Sequence, residues 1–346
     1  MAEQIPHEKR WTFIILIGCL SMFMAEVFAG SSQMWFIDGW SLLVTYWLYL
    51  AHLLLFLNLA FRTKRTSIPQ LYLWGILFAL YESWITKVLW SGYPGSEGPA
   101  IALVGGIAIL EFFTLVFFWH PVLAFIMPIL VFESFALSQN SQLKLEQKIL
   151  VSHFNYLKKD NKKFFYFCLF LILIGSVFLS LNTGFNIIVA LIASIGSIGL
   201  IFLFFKLSGR NKNCFSIYSL RLGKLGLGVV FSYIIILYII TFIFLMPQNI
   251  PTSFIPFLII IGFYAFIGIM LRISKPIDES IEVYNEEKEF YSATFFFKIF
   301  CLMIVFIIIF CLIPIIGLII GLTIFLGMII IAPLFFVFFL KKALKT

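Results

Sequence analysis

The sequence predicts an all-α protein, a polytopic bundle of transmembrane helices. Hydrophobic residues make up 62% of the chain and charged residues only 12%, whereas soluble domains carry about 25% charged residues. The apolar runs have the length of about twenty residues that a helix needs to cross a bilayer. They lack the alternation of apolar and polar residues that marks a β-barrel strand. The lipid bilayer is therefore the predicted partner of most of this surface.

Charge and cysteine content exclude several other classes of protein. The net charge of +8 is explained by lysine and arginine in cytoplasmic loops, so we predict no nucleic-acid binding. The five cysteines show no metal-binding spacing, and four of them lie in apolar runs, where a thiol behaves as a small hydrophobic group. No disulfide framework is predicted.

The hydrophobic segments fall into three groups along the chain. A long central stretch, 98–138, is interrupted by the Gly105-Gly106 pair and by Pro121. It is too long for one ordinary crossing and short for two. Three single segments precede it and three hairpins of similar length follow it: 11–29, 41–61 and 69–90, then 164–207, 225–272 and 295–340.

This pattern predicts two membrane modules and a linker. Residues 1–138 contain all eight tryptophans and form a polar module that carries the candidate site. Residues 139–163 carry six lysines and form a cytoplasmic linker, either a basic amphipathic helix on the membrane surface or a solvated segment. Residues 164–346 form an apolar module of three transmembrane hairpins.

The positions of lysine and arginine predict the topology. All eighteen in the back half lie on one set of alternating loops, which marks the cytoplasmic side. The basic residues of the front half agree with this only if 98–138 crosses the membrane an odd number of times. We therefore predict about ten crossings from eleven hydrophobic segments, with both termini cytoplasmic. The central helix is predicted to be broken or re-entrant at the Gly pair or at His120-Pro121.

Ionisable side chains inside the apolar runs are the candidate site. Each costs ~3 kcal/mol or more at bilayer depth, so they need partners or a function. They are predicted either to handle a proton or cation, or to join helices as protonated, hydrogen-bonded carboxyls. Thr86, four residues after Glu82, is its expected partner, and Lys87 is expected to extend toward water. The predicted intramembrane polar cluster comprises Glu26, His52, Glu82, Glu111, His120 and Glu133.

The sequence predicts no cofactor, and metal binding enters only as an alternative. The candidate ligands are Glu82, His120 and Glu133, and no HExxH motif is present. Glu111 and His120 are nine residues apart, ~13 Å along a helix, so they could share an ion only across a break in it.

Residues 20–135 resemble an uncharacterised family of prokaryotic polytopic membrane proteins. The matching positions are Ala25-Glu26 followed by 29–32, Glu82 within 80–83, and His120 followed by Pro128-Ile129 and Glu133. The family has a Glu-Glu pair at Tyr81-Glu82 and an Arg-Glu pair at Leu57-Asn58. Such Glu and His motifs are similar to those of CAAX-type intramembrane metalloproteases. That resemblance implies a divalent metal, with Glu82 activating water and His120 as a ligand.

Three functions therefore remain open at the level of sequence. The first is a transporter-like or channel-like permease in the cell membrane, whose carboxyls bind a proton or cation. The second is a metal-dependent intramembrane hydrolase that uses Glu82 and His120. The third is a membrane scaffold or accessory subunit, and an oligomer or partner subunit is compatible with each of them.

Overall fold

A computed structural model of the protein describes residues 10–93, 102–279 and 289–345. The predicted fold class is confirmed, because the described chain is a helical membrane bundle with a single short β-hairpin. Eight of its helices are long and apolar enough to cross a membrane. The number of crossings and the side of each terminus stay predictions.

The helix bounds follow the predicted segments closely in the back half. In chain order the helices are α1 Trp11–Val27, α2 Ser41–Thr63, α3 Ile68–Ala79, α4 Tyr81–Trp84, α5 Val88–Ser91, α6 Ile109–Leu137, α7 Lys162–Asn182, α8 Ile187–Gly209, α9 Lys224–Phe244, α10 Ile255–Ile273, α11 Ala293–Leu312 and α12 Pro314–Lys345. The three hairpins α7–α8, α9–α10 and α11–α12 lie where hydropathy places them. The last of them turns at Pro314, because proline is favoured at the first position of a helix.

The third segment, predicted as one helix over 69–90, is not continuous. Helix α3 begins with a capping box between Ser67 and Gln70, which satisfies the first free backbone donors. It ends at Ala79, and the chain then forms the short helices α4 and α5. Lys87 separates these two helices in the left-handed conformation, with φ of 60°. The prediction of one uninterrupted helix here was wrong, because neither hydropathy nor composition marks this left-handed residue.

The central stretch combines a turn and an unusual helix. Gly105 and Gly106 have positive φ values, which glycine adopts without steric cost, and they join strands β1 Leu103–Val104 and β2 Ile107–Ala108. The chain then continues as α6 through His120 and Pro121. Residues Phe112–Ile126 have π-helical hydrogen bonding. The Gly pair is thus a turn before the helix, and the helix runs on through Pro121. The break predicted within the helix at His120-Pro121 is not present, because π-helical hydrogen bonding continues past the proline.

By its internal contacts the described chain divides into two compact units, and each draws on both halves of the sequence. Unit 1 comprises 1–50, 127–221 and 278–325, and unit 2 comprises 51–126, 222–277 and 326–346. In unit 1, α1 packs on α8 and on the end of α6, while α7 packs on α11. Phe13 contacts both Phe132 and Phe215 in this core.

In unit 2, α3 packs along the π-helical part of α6. The approach is close because Gly75 faces Pro121: a Cβ on Gly75 would lie 2.6 Å from the Pro121 Cα. Tyr72 donates a hydrogen bond to the Phe117 carbonyl at 2.5 Å. Pro121 has no N–H to offer that carbonyl, so the tyrosine replaces the missing donor. This contact fixes the register of α3 against the residues around His120.

The basic linker forms short turns instead of one amphipathic helix. Its helical pieces are Leu145–Lys148, Val151–His153 and Phe154–Leu157. Leu150, His153 and Leu157 are fully buried among them. The linker is therefore packed into unit 1 through these buried side chains. It is neither the amphipathic surface helix nor the solvated segment that the sequence suggested.

Candidate functional site

The candidate site of unit 2 is built where α3 ends and where α6 is π-helical. Tyr81 and Glu82 open the short helix α4, and His120 precedes Pro121 on α6. Both regions depart from regular α-helix. Backbone of this kind is tolerated at membrane depth only where protein or an aqueous cavity surrounds it. Glu82 and His120 are accordingly buried, with 6% and 1% of their surfaces exposed.

Glu82 and His120 form a direct contact, which we call the Glu82–His120 pair. The His120 Nε2 atom lies 3.1 Å from Glu82 Oε1 and 3.0 Å from the Tyr81 hydroxyl. The Tyr81 hydroxyl also interacts with the neighbouring Glu82 carboxylate. Thr86 donates to Glu82 Oε2, as the spacing of four residues predicted. Two hydroxyl groups therefore flank the carboxylate and the imidazole.

The second nitrogen of the imidazole indicates where the hydrogen atoms are. His120 Nδ1 lies 3.3 Å from the Leu115 carbonyl, and because a carbonyl can only accept, Nδ1 is assigned the hydrogen. A neutral His120 would then present an acceptor at Nε2 to another acceptor, Glu82 Oε1. The 3.1 Å contact is favourable when one proton lies between these two atoms. The pair is thus arranged to hold one proton, on the carboxyl group or on the imidazole.

His52 lies in the same unit as the pair and extends the polar region. Its Nε2 atom is 3.1 Å from the Tyr238 hydroxyl, and Tyr238 in turn contacts the Tyr264 hydroxyl. The Tyr81 ring lies next to two imidazoles, with centroids 5.5 Å from His52 and 5.2 Å from His120. Three members of the predicted cluster, His52, Glu82 and His120, are therefore brought together in unit 2.

Glu111, also in unit 2, lies in the first turn of α6. It is 9% exposed, and its Oε2 atom has no hydrogen-bond partner among the described residues. Among the carboxylates of the predicted cluster, Glu111 is the one with an oxygen atom that accepts no hydrogen bond from the described residues.

Glu26 belongs to unit 1 and is held by three hydroxyl groups. Its Oε2 atom accepts from Ser31 at 2.7 Å and from Ser32 at 2.8 Å, and its Oε1 atom accepts from Tyr49 at 2.5 Å. The serines reach back because the chain reverses at Gly30, whose φ is 70°. The carboxylate has hydroxyl partners on both oxygens, so it is well solvated by protein.

Glu133 also belongs to unit 1 and contacts the linker. Its Oε2 atom lies 2.7 Å from His153 Nδ1, and its Oε1 atom accepts from the Leu150 N–H at 2.8 Å. Both side chains are fully buried. This Glu133–His153 pair joins the end of α6 to the linker, and hydropathy alone offered no sign that His153 would be buried.

The residues that were predicted as metal ligands fall into two separate groups in the structure. Glu82 and His120 lie together in unit 2, whereas Glu133 pairs with His153 in unit 1. Within the described ranges, no three His, Cys, Asp or Glu side chains are placed to hold one metal ion. Protein sites for catalytic zinc supply three ligands, and the Glu82–His120 pair supplies two.

Residues 15–345 match a family described as an uncharacterised membrane protein family. The chain belongs to this family. A protein of Archaeoglobus fulgidus, itself described as uncharacterised, is 38% identical over 150 residues. That match covers 43% of this chain and 45% of the relative, so the chain spans under half the length of the curated relative that it matches. No solved structure matches the chain.

The family match confirms the expected membership and extends it into the back half. The resemblance seen in the sequence rested on 20–135, whereas the family covers nearly all of the chain. This agrees with the structure, because both units draw on the back half. The protein is thus a multi-pass integral membrane protein whose specific function is open.

Sequence reasoning missed three residues that surround the predicted ones. Tyr81 stands at the place where the resemblance expected a glutamate, and its hydroxyl bonds His120. His153 was covered only by the prediction of a cytoplasmic linker over 139–163. Lys87 was expected to reach water but is fully buried. For Lys87 the available signal was its distance of only five residues from Glu82 in the same apolar run.

Proposed function

We propose that this protein is a permease of the cell membrane whose Glu82–His120 pair binds and releases a proton during transport. The observation that supports this most directly is the buried 3.1 Å contact between a carboxylate and an imidazole. Ionisable groups at membrane depth are expensive and commonly line ion or proton pathways. The pair has a place for one proton and two groups that can hold it.

The flanking hydroxyls favour proton exchange over a purely structural pair. A hydroxyl can donate or accept, since its hydrogen rotates, so Tyr81 and Thr86 can follow a change in the charge of Glu82. The Thr86 hydroxyl donates to the carboxylate, and the Tyr81 hydroxyl interacts with it from beside His120. A rigid backbone donor could not adapt in this way. The surroundings of Glu82 therefore suit both protonation states.

Proton flux into vesicles that contain the purified protein tests this proposal. With a pH-sensitive dye inside, an imposed membrane potential should drive proton entry in the wild type. We expect Glu82→Gln and His120→Ala each to abolish this flux, because each removes one of the two proton-holding groups. Glu289→Gln is the control, since Glu289 is an exposed carboxylate paired with Lys159. Unchanged flux in Glu82→Gln would count against the proposal.

A metal-dependent hydrolase is a second candidate, and one observation favours it. Glu82 and His120 are within 3.1 Å of each other, close to the distance at which they could share an ion or a water molecule. The pair lacks a third ligand among the described residues. Metal analysis of the purified protein, with His120→Ala as the control, separates the two proposals. Stoichiometric metal that depends on His120 would favour the hydrolase, and its absence would end that reading.

A further inference from the structure

Lys87 is a buried lysine at the junction between α4 and α5. None of its surface is exposed, although a charged lysine is almost never fully buried without a partner. Its backbone is left-handed, with φ of 60° and ψ of 12°. That conformation is uncommon for residues other than glycine and carries a cost in free energy. Two unfavourable features thus coincide at one residue, and both require compensation.

The compensation comes from backbone carbonyl groups. The Lys87 Nζ atom donates to Thr241 O at 2.7 Å, to Ile85 O at 3.2 Å, and to Leu245 O. An ammonium group has three hydrogens, and these three acceptors use all of them. We call this arrangement the Lys87 site. It lies entirely within unit 2.

Two electrostatic features add to the carbonyls. Thr241 and Leu245 lie at the carboxyl end of α9, which ends at Phe244, and this end of a helix carries a partial negative charge. The Phe242 ring centroid is 5.5 Å from Nζ, within the range of a cation–π interaction. Carbonyls, helix end and ring all favour a monovalent cation that donates hydrogen bonds. The described contacts of Nζ include no carboxylate.

We infer that the Lys87 site is a binding site for a primary ammonium ion, which the chain fills with its own lysine side chain. The tethered ammonium joins the end of α9 to the segment that carries Glu82. Thr86 precedes Lys87 directly and donates to the Glu82 carboxylate. Holding Lys87 in place therefore holds Thr86 on Glu82. Lys87 acts as a positioning residue for the Glu82–His120 pair, and this part of the inference rests on the proposed function.

Removal of the lysine side chain and replacement by a free amine tests the site. Lys87→Ala lacks the three carbons and the nitrogen that propylammonium supplies. We expect this variant, purified in detergent, to unfold at a lower temperature than the wild type, and propylammonium to restore most of the loss. Tetramethylammonium carries the same charge without N–H groups, so it should not restore stability. Sodium chloride at the same ionic strength is the reference.

Two further variants keep the test decisive if Lys87→Ala folds poorly. Lys87→Met keeps the apolar part of the side chain but has no ammonium group, so it should be less stable than the wild type and propylammonium should have no effect. Lys206→Ala is the matched control, because Lys206 also lies beside an aromatic ring, Phe202, at 5.3 Å but is exposed. A Lys87→Met variant as stable as the wild type would overturn the proposed site. Equal rescue by tetramethylammonium would do the same.

Proton flux separates this inference from the proposed function. In vesicles, Lys87→Ala should lose proton flux. Rescue of stability in a protein whose wild type shows no flux would leave the ammonium site standing and end the permease proposal. Rescue of stability with flux that stays at the wild-type level throughout would end the positioning role of Lys87.

Discussion

Glu82 and Glu133 are both buried glutamates in contact with a histidine, yet their surroundings differ. The Glu82–His120 contact is 3.1 Å and the Glu133–His153 contact is 2.7 Å. Glu82 is flanked by the hydroxyls of Tyr81 and Thr86, whereas Glu133 accepts from the backbone N–H of Leu150. A hydroxyl can reverse its hydrogen bond and a backbone N–H can only donate.

Under the proposed function, this difference separates two uses of the same pair of residue types. The Leu150 N–H at Glu133 can only donate and cannot reverse its hydrogen bond, so this pair is suited to anchoring the linker on α6. Glu279 supports the same segment, because it accepts from the hydroxyl of Ser152 at 2.7 Å. The hydroxyls at Glu82 tolerate either charge state, so that pair is suited to exchanging a proton. Burial and a histidine neighbour alone would not have distinguished them.

The largest expected effect on stability comes from replacing the two histidines in two separate variants, His153→Leu and His120→Leu. His153→Leu leaves the Glu133 carboxylate buried with one backbone donor, and breaking a buried ion pair in this way costs about 3–5 kcal/mol in the free energy of unfolding. His120→Leu should cost clearly less, since the Thr86 hydroxyl still donates to Glu82 and the Tyr81 hydroxyl still lies beside it. Unfolding in mixed detergent micelles measures both. A larger loss in His120→Leu would reverse the assignment of anchor and exchange site.

An intermediate effect is expected where α3 meets α6. Gly75→Ala would place a Cβ 2.6 Å from the Pro121 Cα, and because this is backbone, the helices must separate, at a cost of about 1–3 kcal/mol. The displacement should also reduce proton flux by moving His120. Gly262→Ala is the control, since a Cβ there meets nothing within 4 Å. Flux that is unchanged in a destabilised Gly75→Ala protein would show that the site tolerates a shift of α6.

The smallest effect is expected at Asp38, whose carboxylate is exposed, unlike the buried carboxylates of Glu82 and Glu133. The Ser41 hydroxyl and its N–H, 2.7 Å from Asp38 Oδ2, lower the pKa of Asp38 below its ordinary 3.8. A lowered pKa means that the stabilising contribution is present above 3.8 and is lost as the pH falls through the pKa of the folded state.

Asp38→Asn should therefore remove a small part of the acid sensitivity of the unfolding temperature, and leave neutral pH almost unchanged. Thermal unfolding between neutral and acidic pH measures this. A large loss of stability at neutral pH in Asp38→Asn would contradict the view that hydroxyl and N–H partners contribute little at an exposed carboxylate.

The sequence by itself determined the fold class and most of the helices. Apolar runs of membrane-spanning length leave the helix as the structure that satisfies its own backbone, so α7 to α12 lie where hydropathy predicts. Glycine and proline also acted locally: the Gly105-Gly106 turn and the start of α12 at Pro314 follow from the backbone preferences of these two residues. Thr86 was correctly predicted as a partner of Glu82 from its separation of four residues, although the helix ends at Trp84 and the contact forms across the turn that follows it.

Only the tertiary structure decided how the ionisable residues pair. The predicted cluster is distributed over different partners: His120 for Glu82, His153 for Glu133, and hydroxyl groups for Glu26. These contacts join residues 20 to 38 positions apart or depend on a turn at Gly30, and no local pattern encodes them. The buried, left-handed Lys87 is the extreme case, since its partners Thr241 and Leu245 lie more than 150 residues away. The sequence shows which ionisable side chains carry a free-energy cost of burial in the membrane. Helix packing decides which groups offset that cost.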